Sequence, residues 1–202
     1  GMRPGVYERK YELDSLMAFL KLGRMLLEGQ GGASDPAEAA RWFRLGVAQD
    51  LPEAQYYLAT LHEKGLGVEQ DYQRAAELYT AAAEAGLAEA ASALGRLYRR
   101  GDGVDRDDDA AVLWYGRAAM AGESEAQFSL ALMFEEGRGV ERDPIKAYFW
   151  YATAANASQP LAADNRDRLA KTLDPEQRAA GEALIKAWQE REQRFGEPDT
   201  GR

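Results

Sequence analysis

Thirty-four carboxylates and one imidazole, His62, are the groups in this chain that could carry acid–base chemistry. Two carboxylates suffice for glycosidic hydrolysis, whereas a lone histidine excludes multi-His metal sites and most catalytic triads. There is no cysteine, which removes disulfide frameworks, thiolate zinc sites, iron–sulfur clusters and thiol nucleophiles. The acidic run from Asp102 to Asp109 has the look of a calcium loop, but the position of the bidentate Glu that closes such loops holds Leu113. Gly65-Leu66-Gly67 falls between two helical patterns rather than between a strand and a helix, so it is no phosphate cradle. A Ser-x-x-Lys nucleophile motif is missing too. These residues predict no catalytic, cofactor or metal site, and a carboxylate-dependent hydrolase is the weakest of the function classes.

The elements that must position any remaining site follow from composition. Apolar residues make up 46% of the 202 and charged residues 29%, enough buriable material for a folded chain. A net charge of −9 repels phosphate backbones and anionic lipid heads, which argues against nucleic-acid and membrane-surface partners. Charges or glycines interrupt every apolar run well short of the roughly 18–20 residues that a membrane helix needs. From Arg3 to Leu13 the chain is mostly polar, without an apolar core of signal-peptide length, and a cytoplasmic location is expected.

Comparison of the chain with itself shows a 36-residue period. Leu22, Leu58, Leu94 and Leu130 keep that interval, each followed by Gly or Ala. So do Ala18, Ala54, Ala90 and Ala126, and Gly31, Gly67, Gly103 and Gly139. The large residues recur as pairs: Trp42-Phe43, Leu78-Tyr79, Trp114-Tyr115 and Trp150-Tyr151. Between Glu53 and Lys64, Ala54, Leu58, Leu61 and His62 share one helical stripe. Gly65 suits a left-handed helix end and Gly67 a tight turn. Asp71 is an N-cap for a second helix, and Pro36 and Pro144 sit at first helical positions after Asp35 and Asp143. That second helix buries Ala75, Leu78, Tyr79, Ala82 and Ala83, and Gly86 or Gly122 stops it. Each unit is a helical hairpin that cannot bury its apolar faces alone, so neighbours must stack. The fold class predicted is all-α: an α/α superhelix, a right-handed solenoid of antiparallel helix hairpins.

The run Ala90-x-x-x-Leu94-Gly95-x-x-Tyr98-x-x-Gly101-x-Gly103-Val104-x-x-Asp107, continuing through Ala111, Trp114-Tyr115, Ala118-Ala119 and Gly122, resembles the Sel-one-like repeat, a relative of the tetratricopeptide repeat. The resemblance covers residues 15–157 as four repeats, about 15–50, 51–86, 87–122 and 123–157. The first copy departs at Gly32 and Gly46-Val47, and the second at Leu78 and His62, which fills the family's Tyr column and is expected to pack between helices. Upstream lies an N-terminal segment, 1–14, where Tyr7 to Leu13 reads as the remnant of a preceding second helix. Downstream, Ser158-Gln159-Pro160 reads as a helix start. Asp174-Pro175-Glu176-Gln177 reads as a capping box, before a helix with Ala180, Leu184 and Trp188 on its apolar face. Residues 158–195 are expected to be a capping helix pair and 196–202 a disordered tail.

The resemblance implies an adaptor that presents a concave face to a protein or peptide. By analogy with tetratricopeptide geometry, positions two before the Leu column face inward, at Leu20, Tyr56, Ser92, Phe128 and Asp164. Those two after it do so at Arg24, Thr60, Arg96, Leu132 and Arg168, and those five and six after it at Glu63-Lys64, Arg99-Arg100 and Glu135-Glu136. Arg24, Arg96, Arg99, Arg100 and Arg168 would form a basic track flanked by Tyr56 and Phe128, suited to an acidic or carboxyl-terminal peptide. The plainer alternative has these arginines paired with Glu63, Glu89 and Glu125. Glycan or cell-wall-fragment binding is a further alternative, disfavoured because the Trp columns are predicted to be core. The oligomeric state is left open.

Overall fold

A computed structural model describes residues 5–30 and 32–196. Among them are ten helices and no strand. These are α1 (Gly5–Glu28), α2 (Pro36–Val47), α3 (Pro52–Lys64), α4 (Tyr72–Glu84), α5 (Ala88–Arg100), α6 (Asp108–Met120), α7 (Ser124–Glu136), α8 (Pro144–Asn156), α9 (Ala162–Ala170) and α10 (Pro175–Gly196). The starts of α2, α4, α6 and α8 are 36 residues apart, as are those of α3, α5 and α7. None of the described helices is long and apolar enough to cross a membrane.

Local chemistry fixes these boundaries. Asp35 and Asp71 accept the backbone N–H of Glu38 at 3.0 Å and of Arg74 at 2.9 Å, and Asp143 accepts those of Ile145 and Lys146. Gly65 ends α3 at φ +66°, its N–H donating to the Leu61 carbonyl. In the later loops the second glycine does more than turn. A Cβ on Gly67 would collide with the backbone of Pro36 and Ala37, one on Gly103 with that of Tyr72, and one on Gly139 with that of Asp108. Only a residue without a side chain lets the loop reach the start of the second helix one repeat earlier.

The helices group into two compact units, one through Asp107 with α1–α5 and one from Asp108 with α6–α10. In both, the alanine columns are sealed: Ala54, Ala90, Ala126, Ala39, Ala75, Ala111 and Ala147 are wholly buried. Ala18 is exposed. The second member of each aromatic pair, Phe43, Tyr79, Tyr115 or Tyr151, is buried completely or nearly so. The first members divide. Leu78 and Trp150 are core, but Trp42 and Trp114 are only half-buried, against the expectation of a uniform core column. Trp42 stacks on Phe19, and the Arg117 guanidinium lies 4.6 Å from the Trp114 ring centre.

The ends of the array differ from the sequence expectation at three points. No break separates Leu13 from Ser15; α1 runs through, and the stretch from Val6 to Leu22 has neither Gly nor Pro to interrupt it. The helix expected at Ser158-Gln159-Pro160 begins later, at Ala162, because Ser158 and Leu161 take left-handed backbone, with φ +62° and +67°. In α10, Ala180 and Leu184 face solvent; the inward face carries buried Gly181 and half-buried Ile185 and Trp188. The capping box does form, with Asp174 N–H donating to Gln177 Oε1 at 3.1 Å and Gln177 N–H to Asp174 Oδ1 at 2.8 Å. Both α9 and α10 pack on α8. Gly196 is the last residue of α10, and the rest of the expected tail, 197–202, lies outside the described residues.

Candidate functional site

In the first unit, α3 sets Tyr56, Thr60 and Glu63 one turn apart on the same side, and α4 and α5 close on them with Tyr79 and Arg96. The Tyr79 hydroxyl donates to Glu63 Oε2 at 2.9 Å and stands 3.0 Å from Thr60 Oγ1. Arg96 grips the same carboxylate with both terminal nitrogens, Nη2 to Oε2 at 3.0 Å and Nη1 to Oε1. The Tyr56 ring packs on Tyr79, 5.7 Å between centres. Burial pushes the Glu63 carboxyl up, but the hydrogen bonds and charge of Arg96, helped by the Tyr79 hydroxyl, outweigh it and hold the group below its ordinary value. Burial pushes the Tyr79 phenol far up, and the neighbouring Glu63 charge pushes the same way.

The second unit repeats the arrangement 72 residues on, with Glu135, Tyr151 and Arg168 in place of Glu63, Tyr79 and Arg96. Tyr151 donates to Glu135 Oε2 at 2.7 Å, and Arg168 meets both carboxylate oxygens at 2.8 and 2.9 Å. Phe128, the equivalent of Tyr56, lies 5.6 Å from the Tyr151 ring. The Arg168 hydrogen bond, more than burial, sets the Glu135 carboxyl below its ordinary value, and the same bond raises the Arg168 guanidinium. The 36-residue equivalents between the two sets are Arg99, Tyr115 and Leu132, which lack both the acid and the partnering base.

The other predicted site residues fall around these clusters. Arg24 is exposed, 3.7 Å from Glu28 and 6.0 Å from the centre of the Tyr57 ring. It borders an open hollow of about 490 Å³ between α1 and α3, with Met17, Leu20 and Tyr57 in its apolar wall. Ser92 is buried, so a partner cannot reach its hydroxyl directly. Arg99 and Leu132 are half-buried, and exposed Arg100 pairs with Asp102 at 2.8 Å. Arg24, Arg96, Arg100 and Arg168 therefore each stand beside a carboxylate. Of the acids weighed for that pairing, Glu63 takes the part. Glu135, noted only as facing inward, takes it as well, and the 72-residue recurrence of Glu, Tyr and Arg was the signal for it. His62 spends its Nδ1 on the Glu69 carbonyl at 3.2 Å.

Chemically the clusters are built to position groups. Carboxylates held ionised, with both oxygens engaged, are poor proton donors and poor bases. Among the described residues no three His, Asp or Glu side chains converge on a metal site.

Helical hairpins recurring every 36 residues, with small residues at the close approaches, define a repeat protein of the α/α solenoid class. The Sel1 repeat profile matches four times, over residues 18–51, 52–87, 88–123 and 124–158, and the chain belongs to that family. The crystal structure of a Sel1 repeat protein from Oxalobacter formigenes is similar at a TM-score of 0.72 and 27% identity, over 84% of this chain and 70% of that one. The structure of c5321, a protective antigen of uropathogenic Escherichia coli strains displaying an SLR fold, gives 0.60 and 27% over 97% of this chain and 52% of that one. The chain thus spans about half the length of that antigen. No curated protein matches the sequence. Proteins of this family are generally protein–protein interaction scaffolds.

Proposed function

We propose that this chain is a non-catalytic scaffold whose first-helix faces hold a segment of a partner protein, one rich in carboxylates with apolar side chains between them. The observation that carries this reading is the recurrence of one ordered cluster with members at positions the repeat does not require: the Tyr56 ring and the Arg96–Glu63 pair both meet Tyr79 in the first unit, and Phe128 and the Arg168–Glu135 pair both meet Tyr151 in the second. A guanidinium already fixed by a glutamate, itself held by a tyrosine hydroxyl, loses little further freedom when a ligand arrives, and an aromatic ring supplies rigid contact area. Exposed Arg24 offers the first unit a further cation beside its apolar hollow. The Glu63 and Glu135 geometry supports a binding role over hydrolysis, since both carboxylates are committed to arginine. Glycan stacking gains nothing from the two half-buried indoles, because Phe19 and Arg117 already lie on them.

Affinity capture from native extract, beside labelled Glu/Leu-rich and Lys/Leu-rich peptides, tests the reading. We expect the Glu/Leu peptide to bind, and Arg24→Glu with Arg168→Glu to weaken it at least tenfold. Capture retained by a Tyr56→Ala, Phe128→Ala chain would overturn the choice of surface, and binding indifferent to charge reversal would overturn the acidic segment.

A further inference from the structure

One charged column of the first helices changes sign along the array. Its members are Glu63, Arg99 and Glu135, each the next-to-last residue of its helix, α3, α5 or α7. Glu63 and Glu135 are held by the bases 33 residues further on, Arg96 and Arg168. The column that supplies those bases reads Arg96, Leu132 and Arg168. Two of the three recurrences therefore close as neutral Glu–Arg pairs, and the one between them holds a cation where its neighbours hold an acid.

Arg99 is half-buried, and among the described residues it makes no ion pair, hydrogen bond or ring contact. The acids that its neighbours on α5 reach are committed: Glu63 to Arg96, and Asp102, 2.8 Å away, to Arg100. Arg96, one turn back, adds a like charge rather than a countercharge. Nor does the helix end call for a base here, since α3 and α7 hold glutamates at the same place. A guanidinium partly withdrawn from water beside other guanidiniums is raised in energy. One carboxylate arriving in its plane removes that cost through two parallel N–H···O bonds.

We propose that Arg99 reads one obligatory carboxylate, from a Glu or Asp side chain, in the segment this chain binds. The proposal rests on the acidic-segment reading above and narrows it from a charged track to a single fixed contact. The other four arginines of that track already stand beside carboxylates of the chain itself, so they tolerate changes among the ligand's remaining acids. Arg99 keeps all its donors for the ligand. A net charge of −9 repels an acidic segment except where a cation is left unbalanced, so the same residue fixes the register in which the segment lies.

The probe is a labelled, non-periodic Glu/Leu-rich peptide, titrated into the full chain by fluorescence anisotropy beside a set in which each Glu in turn is Gln. Arg99→Gln is expected to weaken binding roughly tenfold or more. Arg99→Lys, which keeps the charge but not the fork, restores part of that loss. Arg74→Gln, at an exposed ion pair of α4, leaves binding unchanged. One Glu→Gln peptide loses as much as Arg99→Gln does, and the two changes together cost no more than either alone. Circular dichroism checks the fold; should Arg99→Gln fail it, Arg99→Lys against the same peptide set decides the question. Peptide binding that the Arg99 variants leave unchanged overturns this proposal while the acidic segment stands. Equal losses from every Glu→Gln peptide do the same, because the attraction is then diffuse. A parent chain that does not bind the peptide overturns the acidic-segment reading, and this contact with it. A phosphoserine/Leu-rich peptide that binds more tightly, and loses that advantage in Arg99→Gln, makes the occupant a phosphate and overturns the carboxylate.

Discussion

Arg96 and Arg168 occupy one column of the array and make the same bond, yet their side chains are 26% and 54% exposed, and their carboxylate partners 11% and 17%. Removing a base from a pair largely out of water strands the acid, whereas an exposed pair is screened and weak. Arg96→Ala is therefore expected to cost about 2 kcal/mol and Arg168→Ala under ~1 kcal/mol in urea denaturation near neutral pH. The pH dependence follows with its sign. The folded Glu63 and Glu135 carboxyls both lie below their unfolded value, so their contribution is whole above the ordinary carboxylate range and is lost as pH falls through the folded values. On acidification the cost of Arg96→Ala should shrink; a cost that stays constant with pH would sink this account of the cluster. The pairing was only partly legible in the sequence. Glu63 and Arg96 are 33 residues apart and meet only because hairpins stack, a relation that no local pattern displays.

At the scale of the element, caps and glycines were legible and faces less so. Aspartate before proline or before an alanine-rich stripe marked helix starts correctly, since both rest on backbone chemistry within one turn. The face of α10 was misread because Ala180, Leu184 and Trp188 share a four-residue spacing, while Gly181, the residue in closest contact, adds nothing to an apolar count. Glycine 103 makes the same point. Its neighbour in the loop, Gly101, would place a Cβ 3.2 Å from Arg106 Cβ, a contact relieved by a small local shift; at Gly103 the Cβ would run into the Tyr72 backbone itself, which demands a far larger one. Both have positive φ, a strain of roughly 1 kcal/mol for an added side chain. Gly103→Ala should therefore lower stability by several kcal/mol, on the order of 3 or more, and Gly101→Ala by about 1. Thermal unfolding of the two variants, side by side, measures the difference; equal losses would mean that the loop moves aside freely.

For the molecule as a whole, stability in a repeat array is close to a sum over neighbouring elements, so an end element acts chiefly on the one it covers. The period and the all-α class were legible because many columns shared one interval. The C-terminal helices α9 and α10 lie beyond the matched repeats, and their packing had to be seen. Trp188→Ala, which trims a half-buried indole from Phe149 and Trp150, should cost about 2 kcal/mol, less than a fully buried ring would. A chain ending before Pro175 should bind more of a hydrophobic dye than the full chain does, as Tyr148, Phe149 and Trp150 come into water. A truncated chain whose dye binding and unfolding both match those of the full chain would deny α10 that role.

The glycines at 67, 103 and 139 carry a consequence for how such a sequence can change over generations. Because each turn is in register with the start of a helix in the preceding module, a single inserted or deleted codon in that stretch throws the loop out of step and is expected to be purged. Gain or loss of a whole 36-residue block keeps every loop in step. Lineages should accordingly differ by entire modules, and the length of any one module should barely drift.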